Sequence, residues 1–278
     1  MSFSINTNVG SLMANLHNGA TSNTLSKSLG MLSSGSQIGS ASYDAAGLGI
    51  ANQLSAQVSG LGQAIMNSNE SIGMMQVADG AMQGINDNMQ RVRELTLQAS
   101  NDTMSADDRA NIQKEVDALL KSSNDIANQT SYNGIKLLDG SGGSSGNGTF
   151  ISQAGADSND TQATQIGDAS TSSLFAGGTI DVTTAAGRTS ALNMLDSAVK
   201  NIGDIRSDLG AGQNQLMANI NNISVTQVNS AASESAMRDL DFAQESAHFS
   251  AATLHAQIGS FAQAQANASA ENVTRLFQ

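Results

Sequence analysis

LSAQVSGLGQAIMNSNESIGMMQVADGAMQGINDNM, residues 54–89, is the stretch that decides the fold. Steps of three and four residues link Leu54, Val58, Leu61, Ile65, Ser68, Ile72, Met75, Asp79, Met82, Asn86 and Met89. A period near 3.5 sustained over so many turns belongs to a helix supercoiled against other helices. Carried into its flanks, the pattern predicts one helix from Gly47 to Gln98, about 75–80 Å long at ~1.5 Å per residue. Ser68, Asp79 and Asn86 fall on the seam, as does Gln265 farther on, and read as register-fixing polar positions.

Four more helical segments surround this one. The first starts with Ile5, Val9, Leu12 and Leu16 and resumes after a slip with Leu25, Leu29 and Leu32. The third opens on Ser105 as N-cap with Asp108 three residues on, and continues through Ile112, Val116, Leu119 and Ile126. The fourth follows Leu195, Val199, Ile202, Arg206, Leu209, Gln213, Leu216, Ile220 and Ile223. The fifth follows Ala247, Ala251, Leu254, Ile258, Phe261, Gln265 and Ala268. Asn133-Gly134 predicts a type I′ hairpin, and short strands are expected at 149–152 and 178–183. Roughly half of residues 139–188 are Gly, Ser or Thr, the composition of a surface-exposed tip. The fold class expected is mainly α: a long coiled-coil bundle with paired N- and C-terminal segments and a small β-hairpin and Gly/Ser/Thr-rich tip. The domains expected are 1–44 with 238–278, 45–138 with 189–237, and 139–188.

Composition removes several functions. The chain has 278 residues, 12 Lys+Arg against 24 Asp+Glu, and neither Cys nor Pro nor Trp. No disulfide, zinc-thiolate site or catalytic cysteine can be built from it. Its net charge of −12 repels phosphate, which argues against nucleic-acid binding. No apolar run of about 18 residues exists to insert into a membrane. Residues 1–20 lack a basic leader and an apolar core, so no secretory signal peptide is expected there. His17, His248 and His255 make no metal-ligand spacing, GxSxG is absent, and GLGIA at 47–51 is not a dinucleotide fingerprint. No enzyme, cofactor or metal is expected. GLGIA reads instead as a hinge, with Gly47 and Gly49 giving the freedom.

The termini carry the strongest functional signal. Residues 1–60 contain only Lys27 and Asp44 as formal charges, and residues 242–278 only Glu245, Glu271 and Arg275. A coiled coil in water carries Glu and Lys beside its seam. Segments one and five carry Ser, Asn, Gln, Ala and Thr, so they are expected to bury neutral surface on several sides and to order only within an assembly. Ile5, Val9, Leu12, Leu16, Leu254, Ile258 and Phe261 make the expected assembly seam. The expectation is a self-polymerising subunit.

Four ordered motifs then resemble bacterial flagellin: INTN at 5–8, SASYDAAGLGIANQL at 40–54, QRVRELTLQASN at 90–101 and NQTSYNGIKLLDG at 128–140. ISVTQVNSAASESAMRDLDFAQES at 223–246 joins them. The resemblance covers about 1–140 and 190–278 and implies a structural protein that builds the flagellar filament for swimming. It implies export without cleavage through the flagellar type III apparatus, an extracellular place in the filament, and an export chaperone at the C-terminal segment. The implied partners are further copies of the chain, the flagellar cap and the hook-associated proteins. In relatives recognised by the innate immune sensor Toll-like receptor 5, the contact is the QRVREL stretch and a glutamate on the next helix. Carried over, that implies receptor-recognition and filament-contact roles for Gln90, Arg91, Leu95 and Glu115. The ending ENVTRLFQ departs from the family's Leu/Ser-rich terminus. A hook–filament junction protein and a soluble signalling coiled-coil bundle are the alternative readings.

Overall fold

A computed structural model describes residues 7–276. The chain runs α1 (Val9–Ser34), α2 (Ala45–Ala99), α3 (Ala106–Gln129), β1 (Ser131–Tyr132), β2 (Ile135–Lys136), β3 (Thr149–Gln153), β4 (Thr161–Gln165), α4 (Thr171–Leu174), α5 (Ala185–Arg238) and α6 (Phe242–Leu276). It is mainly helical, as the periodicity requires. It divides into two compact units, Met1–Ala56 with Asn229–Gln278, and Gln57–Val228.

The second unit is organised by a strict seven-residue repeat. On α2, Leu61, Ser68, Met75, Met82, Met89 and Thr96 form one buried row, and Ala64, Ala78, Ile85, Val92 and Ala99 a second. On α5 the buried row is Leu195, Ile202, Leu209, Leu216 and Ile223. A repeat of seven is the left-handed coiled-coil period. The helices run antiparallel, since Arg206 reaches Asp79 and Arg93 reaches Asp196. The second α2 row sits one residue earlier than the sequence suggested: Ala78 and Ile85 hold the seam, and Asp79 and Asn86 are half-buried beside it. A carboxylate enclosed by methionines would lose its water without compensation. At the flank, Asp79 instead accepts a 2.7 Å hydrogen bond from Arg206 Nε, which also holds that guanidinium more firmly charged than usual. Ser68 does stay in the row, with its hydroxyl buried.

The α3 helix closes this core with Ile112, Val116 and Ala127. It starts where the sequence indicates: Ser105 Oγ accepts from the Asp108 amide at 3.1 Å while the Asp108 carboxylate accepts from the Ser105 amide at 3.2 Å. In the β1–β2 turn Asn133 (φ 50°) and Gly134 (φ 80°) are both left-handed, the requirement of type I′. β3 pairs antiparallel with β4, a strand that its residue pattern does not signal. The strand expected at 178–183 does not form. Gln113 takes its place as a partner, donating Nε2 to the Ile180 carbonyl at 2.9 Å and accepting from the Val182 amide at 2.8 Å. One side-chain amide therefore meets the backbone groups that a neighbouring strand would have met.

In the first unit α1 and α6 pair antiparallel. Asn8 Nδ2 donates to the Ala266 carbonyl at 3.0 Å and Asn18 Nδ2 to Gln263 Oε1 at 3.1 Å. Gly35 closes α1 in a left-handed cap at φ 66°. Beyond it, the Gln37 amide donates to the Arg238 carbonyl and the Leu240 amide to the Gly35 carbonyl.

Candidate functional site

The facing sides of α1 and α6 are mostly small and polar, with Leu25, Leu32 and Phe249 the large exceptions. Ser11, Ala14, Asn18, Thr21, Leu25, Ser28 and Leu32 turn inward from α1, and Phe249, Ala252, Ala256, Gly259, Gln263 and Ala266 from α6. The helices come close enough that a Cβ on Gly259 would stand 2.2 Å from Asn18 Oδ1. This pairing leaves the larger apolar side chains outside. Val9, Leu12, Leu16, Leu254, Ile258 and Phe261 are between 58 % and 72 % exposed. Ile5 lies outside the described residues.

The rows drawn from sequence on segments one and five are thus the outer faces of the terminal pair. The slip between Leu16 and Leu25 marks the change, because Leu25 and Leu32 turn inward. Gln265 is exposed as well, so it holds no register between α1 and α6. Contiguous large apolar residues in water mark a surface that another molecule covers. Full burial of such a side chain gains about 1.5–3 kcal/mol, and these still expose roughly 60–70 % of theirs, so six together are of the order of the ~4–15 kcal/mol that association costs.

Gly47 and Gly49 lie in the first turn of α2 rather than in a flexible joint. Asp44 caps that turn, accepting from the Gly47 amide at 2.9 Å. A Cβ on Gly47 would stand 2.4 Å from Asp44 Oδ2 and 2.9 Å from Ile38 Cδ1. Space beneath the cap, not backbone freedom, accounts for this glycine. The non-helical connection is the segment between Gly35 and Asp44, where Lys27 of α1 lies 4.6 Å from the Tyr43 ring centroid.

On the second unit, Arg91 bridges two helices. It donates to Glu94 at 3.0 Å and to Glu115 at 3.1 Å, and these bonds, Glu94 first, strengthen its hold on its proton. Gln90, Arg91 and Glu115 are exposed. Leu95 is not: at 2 % exposure it belongs to the core and sits beneath this surface. It lies beside the two seven-residue rows, next to Thr96, and the buried positions after Met89 are Val92, Leu95, Thr96 and Ala99.

Among the described residues, no His, Cys, Asp or Glu group is arranged to hold a metal ion, and no helix is long and apolar enough to cross a membrane. His17, His248 and His255 are all exposed. Nothing in the residue pattern announces the Gln113 clamp or the β4 strand; the alternation of Thr161, Ala163 and Gln165 with Gln162 and Thr164 is too polar to signal a strand.

Comparison with known proteins agrees with this architecture. The family model for the bacterial flagellin N-terminal helical region matches residues 5–142, and that for the C-terminal helical region matches residues 192–277. The flagellar filament 31.3 kDa core protein of Treponema maltophilum is 32% identical over 287 residues, covering 99% of both chains. The flagellin of Bacillus subtilis is 34% identical and covers 94% of this chain and 99% of its own length. Among solved structures, Bacillus cereus flagellin superposes with a TM-score of 0.51 at 28% identity, over 61% of this chain and 94% of that one. Matched at both ends by family models and along nearly its whole length by relatives, the chain belongs to the bacterial flagellin family.

Proposed function

We propose that this chain polymerises into the flagellar filament through the outer faces of α1 and α6. It is a structural subunit, and the observation that carries the mechanism is the pair of exposed apolar rows, Val9–Leu12–Leu16 and Leu254–Ile258–Phe261. Two helices that spend their small residues on each other have their large ones free for neighbours. In this reading residues 1–44 and 238–278 reach their final packing on assembly. Residues 45–138 and 189–237 form the helical rod, and 139–188 a solvent-facing tip. Ile5 continues the α1 row by its spacing.

The subunit is exported to the cell exterior, where the cap and hook-associated proteins bound the filament, and a chaperone holds its C-terminal segment beforehand. The test is salting-out of purified protein followed by electron microscopy. The parent chain gives long filaments. Phe261→Glu, with unchanged helix content, gives none. Long filaments from that variant would overturn the role of the α6 face.

The surface of Gln90, Arg91 and Glu115 is the proposed contact for Toll-like receptor 5, with Leu95 setting its shape from below. Monomers are expected to signal in receptor-bearing cells and intact filaments not to. Equal signalling by Arg91→Ala and the parent monomer would remove Arg91 from that contact.

A further inference from the structure

Asn-Gly occurs three times in the chain, at 18–19, 133–134 and 147–148, and the fold holds the three pairs differently. Asn18 is half-buried in α1, where its Nδ2 donates to Gln263 Oε1 at 3.1 Å and Gly19 belongs to the helical ladder. Asn133 is exposed but left-handed, at φ 50°. A left-handed residue has ψ of about +47°, which turns the next backbone nitrogen to the side opposite its own Cβ. Asn147 is exposed and is not left-handed. Its Oδ1 accepts from the Thr149 amide at 3.1 Å, an Asx-turn that folds the carboxamide forward over the Gly148 peptide. Gly148 is fixed as glycine, because its φ is +75° and a Cβ would stand 2.3 Å from the Ile166 carbonyl oxygen. No side chain therefore shields the Gly148 nitrogen.

We propose that Asn147 is a site of self-modification, in which the Gly148 backbone nitrogen attacks Asn147 Cγ and the side-chain amide leaves as ammonia. The new N–Cγ bond closes a five-membered succinimide. Water then opens the ring, at Cγ to give aspartate or at the main-chain carbonyl to give isoaspartate. One water is consumed, one ammonia is released, and nothing is oxidised or reduced. The Asx-turn helps at two points. It holds Cγ close to the peptide that attacks it, so part of the orientation is already in place. It also sets the Thr149 N–H at Oδ1, where the negative charge of the tetrahedral intermediate develops. The Gly148 N–H donates to the Gly142 carbonyl at 2.8 Å, so a base must take that proton, and the rate rises with pH. At Asn133 and Asn18 the turn or the helix must open before the nitrogen can reach Cγ. Each completed event adds one negative charge. Isoaspartate also lengthens the main chain beside Gly148, whose carbonyl accepts from the Ile166 amide at 2.8 Å. The chemistry is that of a single chain and does not depend on the filament reading.

The test ages the intact monomer in mildly alkaline buffer made with oxygen-18 water, with helix content followed by circular dichroism. Peptides released from the same chain, each carrying one of the three Asn-Gly pairs, are aged beside it. Mass spectrometry gives the rate at every pair, and the peptides, having no fold, supply the rate that each pair has by itself. Dividing the rate in the folded chain by the rate in the peptide isolates what the fold contributes. That ratio is expected to be about tenfold or more higher for Asn147 than for Asn133 or Asn18. The product at 147 is expected to carry one oxygen-18 and to include isoaspartate, read by labelling with an isoaspartyl methyltransferase. A ratio at Asn147 no higher than at the other two pairs overturns the proposal. Aspartate without isoaspartate overturns it as well, since direct hydrolysis of the side chain would then have replaced the ring. A rate at Asn147 that stays flat from mildly acidic to mildly alkaline buffer would remove the Gly148 nitrogen as the attacking group. None of these outcomes touches polymerisation, so the filament reading stands or falls separately.

Discussion

The α1–α6 pair and the α2–α5 pair are both antiparallel helical pairs, yet they spend their side chains in opposite ways. The α2–α5 seam fills its interior with Met75, Met82, Met89, Leu195, Ile202 and Leu209, all nearly inaccessible. The α1–α6 pair fills its interior mostly with Ser, Asn, Ala and Gly, with Leu25, Leu32 and Phe249 as the large exceptions, and leaves Leu16 and Phe261 72 % exposed. Large residues inside make a body that is stable alone. Small residues inside bring two backbones close and reserve the apolar surface for another molecule. On the proposed function, the difference separates a part that packs a large-residue core of its own from a part whose apolar surface is left for neighbouring copies.

Five substitutions can break or sharpen that contrast. The largest effect is expected for Met82→Ala, which opens a hole in the seam and lowers the stability of the body by about 2–5 kcal/mol in chemical denaturation; a loss under 1 kcal/mol would mean the row is not the core. Leu16→Glu comes next and acts on the other side of the contrast. It leaves monomer stability within about 0.5 kcal/mol. It raises the critical concentration for polymerisation about a hundredfold, because an unpaired charge would have to enter the contact. A large drop in monomer melting temperature would show that Leu16 already packs inside the chain.

Ser105→Ala should destabilise the α3 start by about 1 kcal/mol. The hydrogen bonds of Ser105 hold the Asp108 carboxyl below its ordinary range. The contribution of that lowered group is therefore present above the ordinary carboxylate range and fades as pH falls through the lowered value. Parent and variant melts should accordingly draw together in acid. Gly210→Ala is expected to stabilise the monomer by up to ~1 kcal/mol, since a Cβ there meets nothing and glycine is a poor helix former. Arg91→Ala, at a solvent-exposed ion pair, should cost little thermal stability, because water and salt screen such pairs. A larger loss would make the Arg91 bridge part of the body's framework.

Much of the fold is legible in the sequence. The row from Leu61 through Met89 gave α2 its seam to the residue, because a repeat of seven is stated by the spacing itself. Ser105 with Asp108 gave the start of α3, and Asn133-Gly134 gave the hairpin, because caps and tight turns are settled within four residues. The second row of α2 lies one residue earlier than its spacing suggests, because Ile65 and Ile72 are apolar members of the neighbouring track that continues to Asp79 and Asn86, and only the packed core selects Ala78 and Ile85. The motif alone reads Leu95 as a surface residue, whereas in the structure it belongs to the core cluster that α2 shares with residues of α3 and α5.

By itself the sequence determined that the chain forms long helices, that its ends are nearly free of charge, and that no catalytic or metal-binding chemistry is spelled out in it. Those properties depend on spacing and composition, which do not change with the path of the chain. Only the tertiary structure decided which side of each terminal helix faces its partner. Both sides are neutral, so hydropathy alone favoured placing the large residues inside. The close approach that Ala, Gly and Ser permit brought the small side in and left Val9, Leu12, Leu16, Leu254, Ile258 and Phe261 facing outward.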